Sequence, residues 1–163
     1  MDTDDTLGVI EVAAAVLVRN FELLRRRTPA PVLDRSEYLL LRTLDATGPA
    51  DICGLAAALG LDPSTVGRQV AAMAGKSLVA RRPSDTDRRR SIVSPTQAGL
   101  TAMETVRAER RAGTAELLAG WSDADLRTLA EMFTRYNRAV AEHHLIEPAT
   151  TPKPAVDALL PAM

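Results

Sequence analysis

Between residues 62 and 93 the chain gathers groups that suit a polyanion: Arg68, Lys76, Arg81, Arg82, Arg88, Arg89 and Arg90 stand against only Asp62, Asp85 and Asp87. That segment carries +4 and the remaining residues −5, so the overall net charge of −1 is a cancellation. Within it, Ser64, Thr65 and Arg68 fall on one face at helical spacing. Small hydroxyls followed one turn later by an arginine suit the major groove of DNA. The hydroxyls can meet phosphates or base edges, and the guanidinium fork matches guanine O6 and N7. Gln69 borders this face, either as an adenine reader or as half-buried filling. Arg88, Arg89 and Arg90 run consecutively in a polar stretch. A cationic loop tip fits the negative potential of a narrow minor groove, although a charge run by itself also fits a plain solvated loop.

Other reactive groups are sparse. The single cysteine, Cys53, cannot close an internal disulfide. It is expected to be a small, semi-buried thiol, with oxidation sensing as the alternative. His143 and His144 are adjacent, so on a helix they point about 100° apart and cannot clamp one metal. The chain shows no Ser/His/Asp order, glycine-rich phosphate loop, CxxC pair or HExxH helix, so neither catalysis nor a cofactor or metal is expected. The start, MDTDDT, is acidic where a secretory signal is basic. The longest stretch without a charged residue is the thirteen residues 91–103, too short to cross a bilayer. A cytoplasmic location is the expectation.

The elements that must position these groups follow from periodicity and capping. At 163 residues the chain has room for one compact domain and a short appendage. Leu7, Ile10, Ala14, Leu17, Phe21 and Leu24 alternate at three and four, predicting a long amphipathic helix over 6–27 that Pro29 and Pro31 end. Asp34 and Glu37 have capping-box spacing and open a second helix through Leu40, Leu41 and Leu44. Asp51 caps a short third helix carrying Leu55, Ala56 and Leu59. After only Gly60 and Leu61, Asp62-Pro63 opens a fourth, because Asp caps well and Pro suits the first helical position. So tight a connection forces a steep crossing, with Val66, Val70 and Met73 turned to a core and Ser64, Thr65 and Arg68 turned out. Residues 78–82 and 91–94 have strand character and flank the basic stretch, which predicts a hairpin with a longer loop. Thr96 caps a helix with Leu100, Met103, Val106, Leu117 and Leu118. Ser122 caps a last one with Leu126, Leu129, Phe133, Tyr136 and Val140. From residue 145 onward prolines recur without a periodic face, and a loose tail is expected.

Helix, tight turn, second helix with a polar outer face, and basic-tipped hairpin together make a winged helix-turn-helix. Residues 55–99 resemble the DNA-binding core of the multiple antibiotic resistance regulator (MarR) family. The resemblance is carried by Leu55-Ala56, by Ser64-Thr65-Val66 followed by Arg68, and by Leu78-Val79 with Arg81. It continues in the wing signature Asp87-x-Arg89 and in Thr96 with Gly99. The order of flanking helices extends it over about residues 6–144. Three positions depart from the family pattern. Ser77 stands where a glycine is usual, which implies a strained corner. Pro95 stands for a leucine, and Gly67 for a hydroxyl residue.

The resemblance implies that Arg89 is the wing side chain inserted in the minor groove and that Asp87 braces the wing. It further implies a homodimer on a palindromic site, and a small effector, often an aromatic acid, between the dimerisation helices and the winged region. Arg19, Phe21 and Tyr38 are candidate lining of such a pocket by position and type, with ordinary packing as the other reading. The expected fold class is mainly α with a small β-wing, a winged helix-turn-helix core flanked by N- and C-terminal dimerisation helices. Residues 6–28 and 96–144 supply those helices, 34–95 the DNA-binding region and 145–163 the tail. The expected function is that of a sequence-specific DNA-binding regulator, a repressor, with double-stranded DNA as partner and no membrane. The alternative is a helical dimer whose winged region binds a protein.

Overall fold

The structure is a computed structural model. It describes residues 3–27, 32–84, 87 and 90–145, apart from the side chains of Arg25, Arg27, His144 and Leu145. The chain divides into two units, Met1–Val32 and Leu33–Met163. The first holds α1 (Thr3–Arg27), with Asp4 and Asp5 in its first turn, where carboxylates complement the helix dipole. Leu7, Ile10, Leu17, Phe21 and Leu24 form the predicted seam and are exposed within this chain. Val9, Val12, Val16 and Leu23 make a second exposed apolar stripe on the other side. The helix is therefore apolar on two sides, where the sequence reading expected one.

The second unit contains α2 (Arg35–Thr47), β1 (Ala50–Asp51), α3 (Ile52–Leu59), α4 (Pro63–Gly75), β2 (Val79–Pro83), β3 (Ser91–Pro95), α5 (Gln97–Leu117) and α6 (Asp123–Val140). A π-helical turn, Ala141–Leu145, continues α6. The helices begin where side chains satisfy their first free N–H groups. Asp34, Asp51 and Asp62 accept the backbone N–H of Glu37, Gly54 and Thr65, and Thr96 and Ser122 do the same for α5 and α6. Asp34 and Glu37 complete the predicted capping box in both directions. Between α3 and α4, Gly60 takes the left-handed conformation at φ +65, which closes the predicted turn.

The core collects Leu40, Leu41 and Leu44 of α2, Leu55 and Ala56 of α3, and Val66, Val70 and Met73 of α4. Leu33, Leu78, Val79 and Val93, with Met103 and Val106 of α5, close it. The three α4 residues expected to face inward are fully buried. The sheet has three antiparallel strands in the order β1-β3-β2, with Val79 opposite Pro95, Arg82 opposite Ile92, and Asp51 opposite Ile92 on the far side. Strand β1 is an addition to the predicted hairpin, since two residues are too few to show alternation.

At the junction of α4, wing and α5, Ser77 sits at φ +59, the strained corner that its departure from glycine implied. Thr96 fastens this corner: its hydroxyl donates to the carbonyls of Ser77 at 2.7 Å and Leu78 at 3.1 Å, and its N–H donates to Leu78 at 3.1 Å. A Cβ on Gly99 would lie 2.1 Å from the Leu78 carbonyl oxygen, whereas one on Gly67 would meet nothing within 4 Å. Gly99→Ala should therefore cost about 3 kcal/mol or more through overpacking against backbone. Gly67→Ala should instead stabilise by about 1 kcal/mol through helix propensity. Urea unfolding of the two variants should move the midpoint in opposite directions.

Candidate nucleic-acid interface

The first turn of α4 presents the polar groups singled out in the sequence. Ser64 and Arg68 are exposed and Thr65 is half-buried. Asp62 organises them. Its carboxylate accepts the Ser64 hydroxyl at 2.6 Å, the Thr65 hydroxyl at 2.5 Å and the Thr65 N–H at 2.9 Å. Those bonds, first Ser64 and then Thr65, hold the Asp62 carboxyl far below the usual carboxylate range. Arg68 in turn donates to the Thr65 hydroxyl oxygen at 3.3 Å. Gln69 is half-buried, and its side-chain carbonyl oxygen is buried with no hydrogen-bond partner. In this conformation its amide is turned partly inward and does not offer the two-point match that adenine reading needs.

Two cations of the basic count are paired with carboxylates from outside that segment. Lys76 donates to the buried Glu37 at 2.6 Å, and this bond raises its pKa. Arg90, expected at the DNA-facing tip, forms an ion pair with Asp51 at the start of α3. It thus ties the wing to the start of α3. The reason lies in the register: Asp51 pairs with Ile92, two residues beyond Arg90, so the guanidinium meets the cap carboxylate diagonally across the strands. Asp87 is exposed, and its carbonyl accepts the Arg90 N–H at 2.9 Å. The Ser84 N–H donates to the Arg90 carbonyl at 2.9 Å and narrows the base of the loop. Arg88 and Arg89 lie outside the described residues. Arg81 and Arg82, counted in the sequence but given no role, are exposed on β2, with Arg81 donating to the Ser91 hydroxyl at 3.3 Å. Alternation along a strand could have placed them on opposite faces of the wing.

The remaining candidates scatter. Cys53 is exposed, correcting the semi-buried expectation: it lies two residues before the buried Leu55, and side chains so spaced on a helix point to opposite sides. His143 is exposed in the π-helical turn, and the His144 side chain lies outside the described ones. Among the described residues no group of three or more metal-ligating side chains occurs. Arg19 and Phe21 project from nearly opposite sides of α1. Tyr38 packs against the core and carries the Arg110 guanidinium 4.3 Å above its ring. Among the described residues no helix is long and apolar enough to cross a membrane.

A tightly turned helix pair with a polar outer face, followed by a three-stranded wing bearing exposed arginines, defines a winged helix-turn-helix regulator of transcription. The family model described as "MarR family" matches residues 33–91. An uncharacterised helix-turn-helix-type transcriptional regulator of Bacillus subtilis (strain 168), YxaD, is 36% identical over 107 residues, 66% of this chain and 75% of that protein. A MarR family protein from Bacillus stearothermophilus superposes with a TM-score of 0.69 at 17% identity, covering 86% of this chain and 99% of the other. The PcaV transcriptional regulator of Streptomyces coelicolor, solved with its natural ligand, gives a TM-score of 0.65 at 21% identity over 78% and 91% of the two chains. The chain belongs to the MarR family of transcriptional regulators.

The ion pair and the caps generate two measurable expectations. If Arg90 braces the wing, Arg90→Gln and Asp51→Ser, the latter retaining a capping oxygen, should each lower stability. Their double mutant should then fall short of additivity by about 0.5–1 kcal/mol, read from a denaturation cycle. The second expectation concerns pH. Burial pushes the Asp34 carboxyl up, but the Glu37 N–H and the Ser36 hydroxyl outweigh it, so Asp34, like Asp62, is lowered. Lowered carboxyls contribute fully above their unfolded value near 4 and lose that contribution as pH falls through the folded one, whereas the raised Lys76 loses its contribution only above about pH 10. The thermal midpoint should be level from about pH 5 to 9 and drop below about pH 4. Asp62→Asn should shallow that acid limb.

Proposed function

We propose that the protein is a homodimeric, cytoplasmic repressor, without enzymatic activity, that binds a palindromic operator and leaves it when a small aromatic acid binds. The observation that carries the DNA reading is the joint exposure of Ser64 and Arg68 on α4 and of Arg81 and Arg82 on the adjoining wing. These are groups for base edges and for phosphates, offered by consecutive elements, the helix pair and the wing. Arg68 takes guanine, Ser64 and Thr65 contact the groove, and Arg89, flanked by Arg88, enters the minor groove as the family pattern implies. Arg90 and Asp87 hold the wing, and Gln69 stands at the margin.

Dimerisation is supported by apolar side chains that a single copy leaves uncovered. No residue of α6 is buried, and Met132, Phe133 and Tyr136, with Leu117 and Trp121 before them, are exposed. A two-fold pair places two copies of α4 about 34 Å apart, one turn of the double helix. Effector control is supported by the ligand-bound PcaV structure, which shares the fold. Tyr38 under Arg110 offers an aromatic face and a cation, the two groups an aromatic acid requires.

Fluorescence anisotropy on operator DNA tests this reading. Arg68→Ala and Arg89→Ala should each weaken binding by about tenfold or more, and the double mutant should abolish it while sedimenting as a dimer. A double mutant with unchanged affinity and unchanged salt slope would overturn the assigned surface.

A further inference from the structure

We infer that Asp62 sets what the recognition helix can read, by committing the hydroxyl protons of Ser64 and Thr65 so that both side chains face the groove as acceptors only. The inference deepens the proposed DNA-binding reading and rests on it.

An ionised carboxylate only accepts hydrogen bonds, so in the two short contacts with Asp62 the hydroxyls must be the donors. Each hydroxyl has one proton, and each is spent. What remains for a ligand is lone pairs, and on Thr65 one of these already faces the Arg68 guanidinium at 3.3 Å. Releasing either proton to another acceptor would break a charge-assisted bond, about twice as strong as a neutral one. It would also leave the Asp62 charge facing the incoming group.

The consequence for DNA is selective. Phosphate oxygens, guanine N7 and O6, adenine N7 and thymine O4 are all acceptors and meet lone pair with lone pair. In the major groove only the amino groups of adenine and cytosine donate. Ser64, exposed and with both lone pairs unengaged by Arg68, is the stronger reader of such an amino group. The negative Asp62 also sits where a helix N-terminus would otherwise attract a phosphate, which turns the first turn of α4 from backbone clamping toward base reading. Arg68 is the donor of the set, and it lies four residues, about 6 Å of helix rise, from Ser64. The half-site should therefore pair a guanine, held by Arg68, with an adenine or cytosine about two base-pair steps away.

Selection from a random DNA pool with the full-length protein tests this, using wild type, Ser64→Ala and Asp62→Asn. Asn keeps a capping oxygen, so α4 retains its start, but it replaces one acceptor by an amide donor and frees the Thr65 proton. Wild type should enrich guanine with a neighbouring adenine or cytosine. Ser64→Ala should reduce the preference for the amino-bearing base by about three- to tenfold while leaving the guanine. Asp62→Asn also turns the charge-assisted bond from Ser64 into a weaker neutral one, so that the Ser64 proton can swing to the base; it should admit guanine or thymine at that position and raise affinity for random DNA. Enrichment of a site whose neighbouring position is guanine or thymine, or one that neither variant changes, would overturn the role of Asp62 and leave the DNA reading standing. Failure of the wild type to enrich any sequence over a protein-free control would overturn the DNA reading itself.

Discussion

The carbonyl oxygen of Leu78 is the point from which the rest of the DNA-binding half is fixed. It accepts both the N–H and the hydroxyl of Thr96, and α5 passes so close to it that position 99 has no room for a side chain. One contact thereby joins the end of α4, the entry to β2 and the start of α5. Because Val79 then pairs with Pro95, both feet of the wing are anchored within a few residues of the recognition helix. The strained backbone at Ser77 is held by the same contact, since the Thr96 hydroxyl also bonds its carbonyl. The orientation of wing to helix is set by backbone geometry, and the wing's own sequence is left to supply charge.

Acidic residues carry much of the local order in and just before the segment that sequence arithmetic marks as basic. Asp34, Asp51 and Asp62 each start a helix, and Asp51 then takes up Arg90 while Asp62 takes up two hydroxyls. A carboxylate is the strongest way to satisfy free N–H groups at a helix start, and in a cationic segment it also finds partners. The outcome is that Lys76 and Arg90 are each paired with a carboxylate from outside the basic segment, while both cations stay more than half exposed.

Much of the architecture is legible from residue types. Capping aspartates, the Gly60 turn and the inward set Val66, Val70 and Met73 all act locally, so their spacing reports them directly. What escapes such reading depends on residues distant in the chain. Strand β1 exists because β3 offers it a ladder, and Arg90 pairs with Asp51 because that ladder brings the two alongside. The inward turn of the Gln69 oxygen and the use of both hydroxyl protons by Asp62 are likewise invisible in composition, because they are choices of rotamer. On α1 the seam is plain in the sequence, yet the second apolar stripe lies hidden among alanines and valines that any helix tolerates.

The Glu37 carboxylate has a mechanical consequence. One oxygen closes the cap of α2 on the Asp34 N–H and the other holds Lys76 at the end of α4, while the side chain itself is buried. A single group thus bolts the beginning of one helix to the end of the other. Parting the two helix ends would cut that carboxylate from its lysine while leaving it buried, a costly state that ties the ends together.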